Sequence, residues 1–139
     1  MPEPTSTKPI HSGLATSFAD PKDVAAFKKC KAEGHSDDHC YGVGDNGEGC
    51  TGLPTTAGSG PSCAVQPEEW KQFGSKAQVM GKKKVLVQVN GRTIVCTLKD
   101  TMPEKKNCTP GVIIDLNPDA CAMLGVRPPI KVPCLWSWL

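Results

Sequence analysis

The sequence predicts a small, mainly β domain whose strands close into a barrel. Three observations carry that reading. From residue 76 onward apolar residues recur with period two, in "KAQVM", "KVLVQV" and "RTIVCTL", the spacing of half-buried strands. The dipeptide Asn90-Gly91 between the last two segments is the signature of a type I′ hairpin. The strands are evenly spaced, one helical segment precedes the last of them, and 14 glycines and 13 prolines supply the turns.

Taken in order, residues 1–13 ("MPEPTSTKPIHSG") lack periodicity and read as an extended arm, disordered or laid on a neighbouring subunit. A helix follows over 21–33, with Asp20 as its cap, Pro21 in the first position and Gly34 as its stop. Val24, Ala25, Phe27 and Cys30 form its apolar stripe. Residues 34–63 are rich in Gly, Ser, Thr and Asp, and predict loop with one short strand near Tyr41–Val43. "KAQVM", "KVLVQV" and "RTIVCTL" are strands, and "GVIID" is another. "NPDACAMLG" is a capped helical turn between Pro118 and Gly125. "KVPCLWSWL" closes the domain, Pro133 marking an edge or bulge. The organisation is therefore an arm at 1–13 and a single domain at 14–139, its barrel spanning about 40–139.

The formal net charge is +2, from 16 basic and 14 acidic residues, which gives no reason to expect a nucleic-acid partner. The Lys82-Lys83-Lys84 cluster reads as a solvated turn between strands. No apolar run approaches the roughly 20 residues that span a bilayer as a helix, so no membrane is expected. Eight cysteines in a short, loop-rich chain predict disulfides and an oxidising destination. The amino-terminal stretch, however, has no apolar segment and is not a secretory signal. Three resolutions stand: a leader already removed, cysteines that stay reduced, or exit by another route, such as assembly into a virus particle released by lysis.

The cluster "CKAEGHSDDHC" offers Cys30, His35, His39 and Cys40 as zinc-type ligands. The adjacency of His39 and Cys40 makes joint ligation awkward, and a Cys30–Cys40 disulfide closing the loop after the helix is the simpler account. Trp136 and Trp138 share one face of a strand. With Tyr41 and Trp70 they are the aromatic candidates for stacking on sugar rings, burial being the competing role.

The string "KDTMP…IDLNPDACAMLG" (residues 99–125) resembles the "NDRGP…IDLS…A…LG" pattern of the rare lipoprotein A group of double-psi β-barrels. Upstream, "CYGVGDNGEGCTG" resembles the glycine-rich opening of these barrels and of the expansin, barwin and family 45 cellulase branch. The resemblance covers about residues 40–139. It implies a six-stranded double-psi β-barrel, here with an N-terminal α-helix and a short helix before the last strand.

Within that superfamily, one acidic residue protonates a glycosidic oxygen while a second group acts as base or stabiliser. Asp100 and Asp115 match two recurrent barrel aspartates, and Asp115 falls where the membrane-bound lytic transglycosylase A branch carries a catalytic acid; the competing role for each is that of a strand-end aspartate that accepts backbone N–H bonds and holds a turn. The chain also departs from the pattern. The Glu-x-x-Asp pair of the first half is replaced by Asp45 and Glu48, spaced Asp-x-x-Glu; Glu68 or a neighbour stands at the histidine position; and Thr101-Met102 replace Arg-Gly.

The function expected first is therefore a structural or attachment module, a virion component that contacts peptidoglycan or another glycan and binds other virion subunits through its arm. The alternative is a peptidoglycan-cleaving enzyme of the lytic transglycosylase type using Asp115 with Asp100, Asp45 or Glu48. The third reading is a secreted barwin-like glycan binder or inhibitor. None of these calls for a cofactor, and the expected location is virion or extracellular.

Overall fold

The structure is a computed structural model and describes residues 8–139; positions 1–7 of the expected arm lie outside the described residues. Six strands, β1 (His11–Ser17), β2 (Ser62–Val65), β3 (Lys84–Val89), β4 (Arg92–Thr101), β5 (Val112–Leu116) and β6 (Lys131–Trp138), close in the order β1-β5-β2-β4-β3-β6. β1–β5 and β2–β4 pair in parallel, and the other four pairs are antiparallel. This is the mainly β, six-stranded double-psi barrel that the sequence predicts.

Two of the expected strands are helical, and two unexpected strands replace them. Tyr41 ends a short helix, α2 (Asp37–Tyr41), whose Ser36 side chain caps the His39 amide at 3.2 Å. "KAQVM" opens as another, α4 (Lys76–Val79), which follows the short α3 (Pro67–Trp70), because the Gln78 side chain accepts the Ser75 amide at 2.8 Å. The missing strands are β1 and β2. β1, "HSGLATS", mixes small and polar residues and shows no apolar period. Gly13 is required there, since a Cβ would lie 2.7 Å from the Gly111 carbonyl oxygen. All four residues of β2 are buried, so alternation has nothing to mark. The arm thus gives way to a barrel strand at His11. The long helix, α1 (Pro21–Ala32), lies between two barrel strands in the chain rather than ahead of the barrel.

The helix ends follow the sequence. Asp20 accepts the Asp23 amide at 3.0 Å to cap α1, with Pro21 in the first turn. The hairpin between β3 and β4 turns at Asn90 (φ 51°) and Gly91 (φ 79°), both in the left-handed region that a type I′ turn needs. The last helix, α5 (Pro118–Leu124), is capped by the fully buried Asn117 and closed by Gly125 in the left-handed conformation. Asn117 accepts from the Ser62 and Ala120 amides and donates to the Thr55 and Gly60 carbonyls, all within 3.0 Å. A polar side chain this deep is tolerable only with its bonds made, and these four bonds tie loop 55–60 to the start of α5.

The barrel interior holds Trp136, Leu98, Ile114, Leu116, Val85 and Val87, each less than 2% exposed. Cys30 and Cys40 form the predicted disulfide, joining α1 to α2. The six remaining cysteines are thiols, so the expected disulfide framework reduces to one bridge. Cys63, Cys96, Cys121 and Cys134 are buried and pack as small apolar groups.

Candidate functional site

Two irregularities in the parallel strand pairs build the site. Along β4, Ile94, Cys96 and Leu98 point into the barrel core, and simple alternation would send Asp100 after them. Instead Cys63 pairs with Leu98 and Ala64 with Asp100, leaving Lys99 as an extra residue. Such a bulge shifts the alternation by one and turns Asp100 to the outer face. The same shift occurs between β1 and β5: Leu14 pairs with Val112 and Ala15 with Ile114, leaving Ile113 over, so that Thr16 faces Asp115. Asp115 also pairs with Ala64 across β2.

Thr16, Asp115, Ala64 and Asp100 therefore form one row across β1, β5, β2 and β4, all on one face. At about 4.8 Å per strand the Cα atoms of the two aspartates lie about 9.5 Å apart, with only the Ala64 methyl between them.

The second wall is the glycine-rich loop 44–50. Its backbone is pressed between α1 and the β4 bulge: a Cβ at Gly44 would collide with the Asp23 carbonyl, and one at Gly49 with the Lys99 carbonyl. The Asp45 amide donates to the Asp23 carbonyl at 3.2 Å, and the Cys50 amide donates to Asp100 Oδ1 at 3.1 Å. So docked, the loop aims Asp45 and Glu48 at the aspartate row. Between the walls lies a cleft of about 580 Å³ lined by Asp45, Glu48, Asp100 and Asp115 together with Phe18 and Tyr41. Tyr41 is half exposed, and its hydroxyl accepts from Asn46 Nδ2 at 2.9 Å.

The electrostatics follow from crowding carboxylates in a partly desolvated groove. Burial pushes Asp115 up to about 6, countered by the Thr16 hydroxyl that donates to Oδ1 and reinforced by the charge of Asp45. Asp100 is pushed up to about 6 by the same burial. The Thr101 and Cys50 amides on its Oδ1 oppose that shift, and Asp45 and Asp115 add to it. Asp45 is also raised, by burial first. Burial and the surrounding acidic groups raise the Tyr41 hydroxyl as well, so it stays a neutral phenol.

The structure thus brings Asp45, Glu48, Asp100, Asp115 and Tyr41 into one cleft. It does not bring the tryptophans there. Trp70, Trp136 and Trp138 are at most 5% exposed, which corrects their reading as glycan-binding residues. Trp70 donates from Nε1 to the Thr101 hydroxyl at 2.9 Å, and Trp136 and Trp138 pack edge to face at 5.2 Å with His11 stacked on Trp136. An indole buried in this way offers no face to a sugar.

The zinc reading fails as well, because Cys30 and Cys40 are consumed by their disulfide and His35 and His39 stack on each other. Among the described residues no three acidic, histidine or cysteine side chains are grouped to hold a metal. Thr16, Phe18 and Ala64 are site residues that sequence reasoning missed. Each lies on or beside a strand with no visible apolar period, and only the recognition of β1 and β2 as strands would have revealed them. Glu68, in contrast, points elsewhere, accepting the Lys105 amide at 3.1 Å.

No protein-family model matches the chain, and no curated protein matches it significantly. Solved structures do match. A papain inhibitor from Streptomyces superposes with a TM-score of 0.58 at 21% identity, over 94% of both chains. An expansin of Clavibacter michiganensis in its apo form gives 0.53 at 17% identity, over 94% of this chain and 50% of that one. A point mutant of that expansin in complex with cellohexaose gives 0.53 at 16% identity, with the same coverage. The chain thus spans about half the length of the expansin and nearly the whole of the inhibitor. At these identities the likeness is one of fold: the chain is a double-psi β-barrel of the kind these proteins contain.

Proposed function

We propose that the protein is a glycan-binding attachment module whose ligand lies in the cleft between loop 44–50 and the Asp115–Ala64–Asp100 row. One observation carries the reading. Residues from three separate parts of the chain converge on a single open groove, presenting hydrogen-bonding carboxylates beside a half-exposed tyrosine. Carboxylates accept sugar hydroxyls, and an aromatic face packs against the apolar side of a pyranose ring. The cellohexaose complex of the expansin mutant supports the reading by analogy of fold. The test is co-sedimentation with peptidoglycan sacculi, cellulose and chitin: wild type is retained on at least one, and Tyr41→Ala releases it. Equal retention of wild type and variant on every polymer would refute the assignment.

We place such a module either on a virus particle or among secreted proteins, and near-stoichiometric recovery in purified particles separates the two. Two further readings each have an observation behind them. Inhibition of a papain-like protease is supported by the match to the inhibitor over 94% of both chains and by exposed Tyr41 and Val43 at the loop; titration against papain tests it. Peptidoglycan cleavage is supported by two carboxylates on one face, each pushed up to about 6. Release of anhydro-muropeptides, abolished by Asp115→Asn, would establish it.

A further inference from the structure

The cleft carries more charge than a neutral polysaccharide requires. Asp45, Glu48, Asp100 and Asp115 line it, while none of its lining residues is a lysine, arginine or histidine. The chain as a whole is slightly basic, at +2, so this is a local concentration of acid rather than a property of the composition.

The hydrogen bonds are lopsided. Thr16 occupies only Oδ1 of Asp115, and the Cys50 and Thr101 amides both go to Oδ1 of Asp100. Among the described residues Oδ2 of each has no donor. Gly47 donates to Oδ2 of Asp45, leaving its Oδ1 free in the same way. Four carboxylates in a partly desolvated groove, each with acceptor capacity unused, call for donors that also bring positive charge. A bare metal ion does not meet the need, since no three of these groups are close enough to ligate one. A glycan bearing carboxylates of its own would be repelled.

We propose that the cleft's ligand is an amine-bearing glycan, a polymer of N-deacetylated amino sugars whose ammonium groups donate to the free oxygens of Asp100 and Asp115 on either side of Ala64. The inference rests on the glycan reading above and specifies its substrate class. Asp100 and Asp115 stand on strands two places apart, their Cα atoms about 9.5 Å from each other, an arrangement that a polymer with repeated amines engages at both carboxylates.

Calorimetric titration with four probes tests this: a deacetylated glucosamine hexamer, its fully N-acetylated counterpart, cellohexaose and hexalysine. The deacetylated hexamer should bind at least about tenfold more tightly than the other three. Asp100→Asn and Asp115→Asn should each reduce that affinity about tenfold, and high salt should weaken it. Asparagine keeps the shape and the acceptor oxygen, so both variants remain folded.

Equal affinity for the N-acetylated hexamer or cellohexaose would overturn the amine assignment and leave the glycan reading standing. Equal affinity for hexalysine, with the same dependence on Asp100 and Asp115, would overturn it in favour of a general cation sink. Absence of binding to every sugar would remove the glycan reading and this inference together.

Discussion

Asp115→Asn should make the protein more stable at neutral pH while removing a group that the ligand needs. Burial in the cleft holds the folded-state pKa near 6 against an ordinary value of 3.8. The folded protein therefore keeps this proton more tightly than the unfolded chain does. The resulting stabilisation is present in full below about pH 4 and is lost as pH rises through 6. At about 1.4 kcal/mol per pH unit, the displacement from 3.8 to about 6 amounts to about 3 kcal/mol. The cleft is open to solvent, which screens the charge, and about 1–2 kcal/mol is the working figure. Asparagine cannot ionise, and its amide oxygen still accepts the Thr16 hydroxyl. Urea denaturation at a series of pH values is the assay. Wild-type stability should fall between pH 4 and 7 and the variant's less steeply, so that the variant is ahead by about 1–2 kcal/mol at pH 7 and level at pH 3.5. A variant less stable than wild type at pH 7, or a wild type with flat stability over that range, would refute the argument from desolvation.

Gly49→Ala should cost about 2 kcal/mol and weaken ligand binding, because the new methyl pushes loop 44–50 off the Lys99 carbonyl; thermal denaturation and the sedimentation assay read both effects. Cys40→Ser should cost about 3 kcal/mol, the loop-closure entropy of a bridge between residues ten apart, and wild type with reductant should show the same loss. Trp136→Phe should cost no more than about 1.5 kcal/mol, because the indole N–H makes no hydrogen bond among the described residues, whereas Trp136→Ala should cost about 3–5 kcal/mol. Chemical denaturation distinguishes them, and neither change at this buried core position should alter glycan affinity while the protein stays folded.

The elements with local punctuation are legible in the sequence. Asp20 and Pro21 begin α1, Asn90-Gly91 turn the hairpin, and Asn117 with Gly125 delimit α5, because each acts on backbone within a few residues of itself. β1 and β2 are not legible. Their residues are fixed by pairing with β5 and β4, far away in the chain, and neither shows the alternation of a half-buried strand. Six strands are expected and six are present, but two of the six differ.

The site divides in the same way. Asp45, Glu48, Asp100 and Asp115 stand out in the sequence as acids in the right motifs, and Tyr41 as an aromatic beside them. What makes them one site is the bulge at Lys99, an event of register that no property of Lys99 itself announces. The tryptophans are misassigned for a complementary reason. Period two correctly puts Trp136 and Trp138 on one face, but periodicity alone does not say whether that face lies inside or outside a closed barrel.

The central claim is that the groove bounded by loop 44–50 and the aspartate row is where ligand binds. Amide chemical-shift mapping by NMR during titration with the deacetylated glucosamine hexamer tests it most directly. Saturable shifts should concentrate at residues 41–50, 64, 100–103 and 115, with the β3–β6 side of the barrel unmoved. Shifts centred on another surface, or none at saturating ligand, would contradict it.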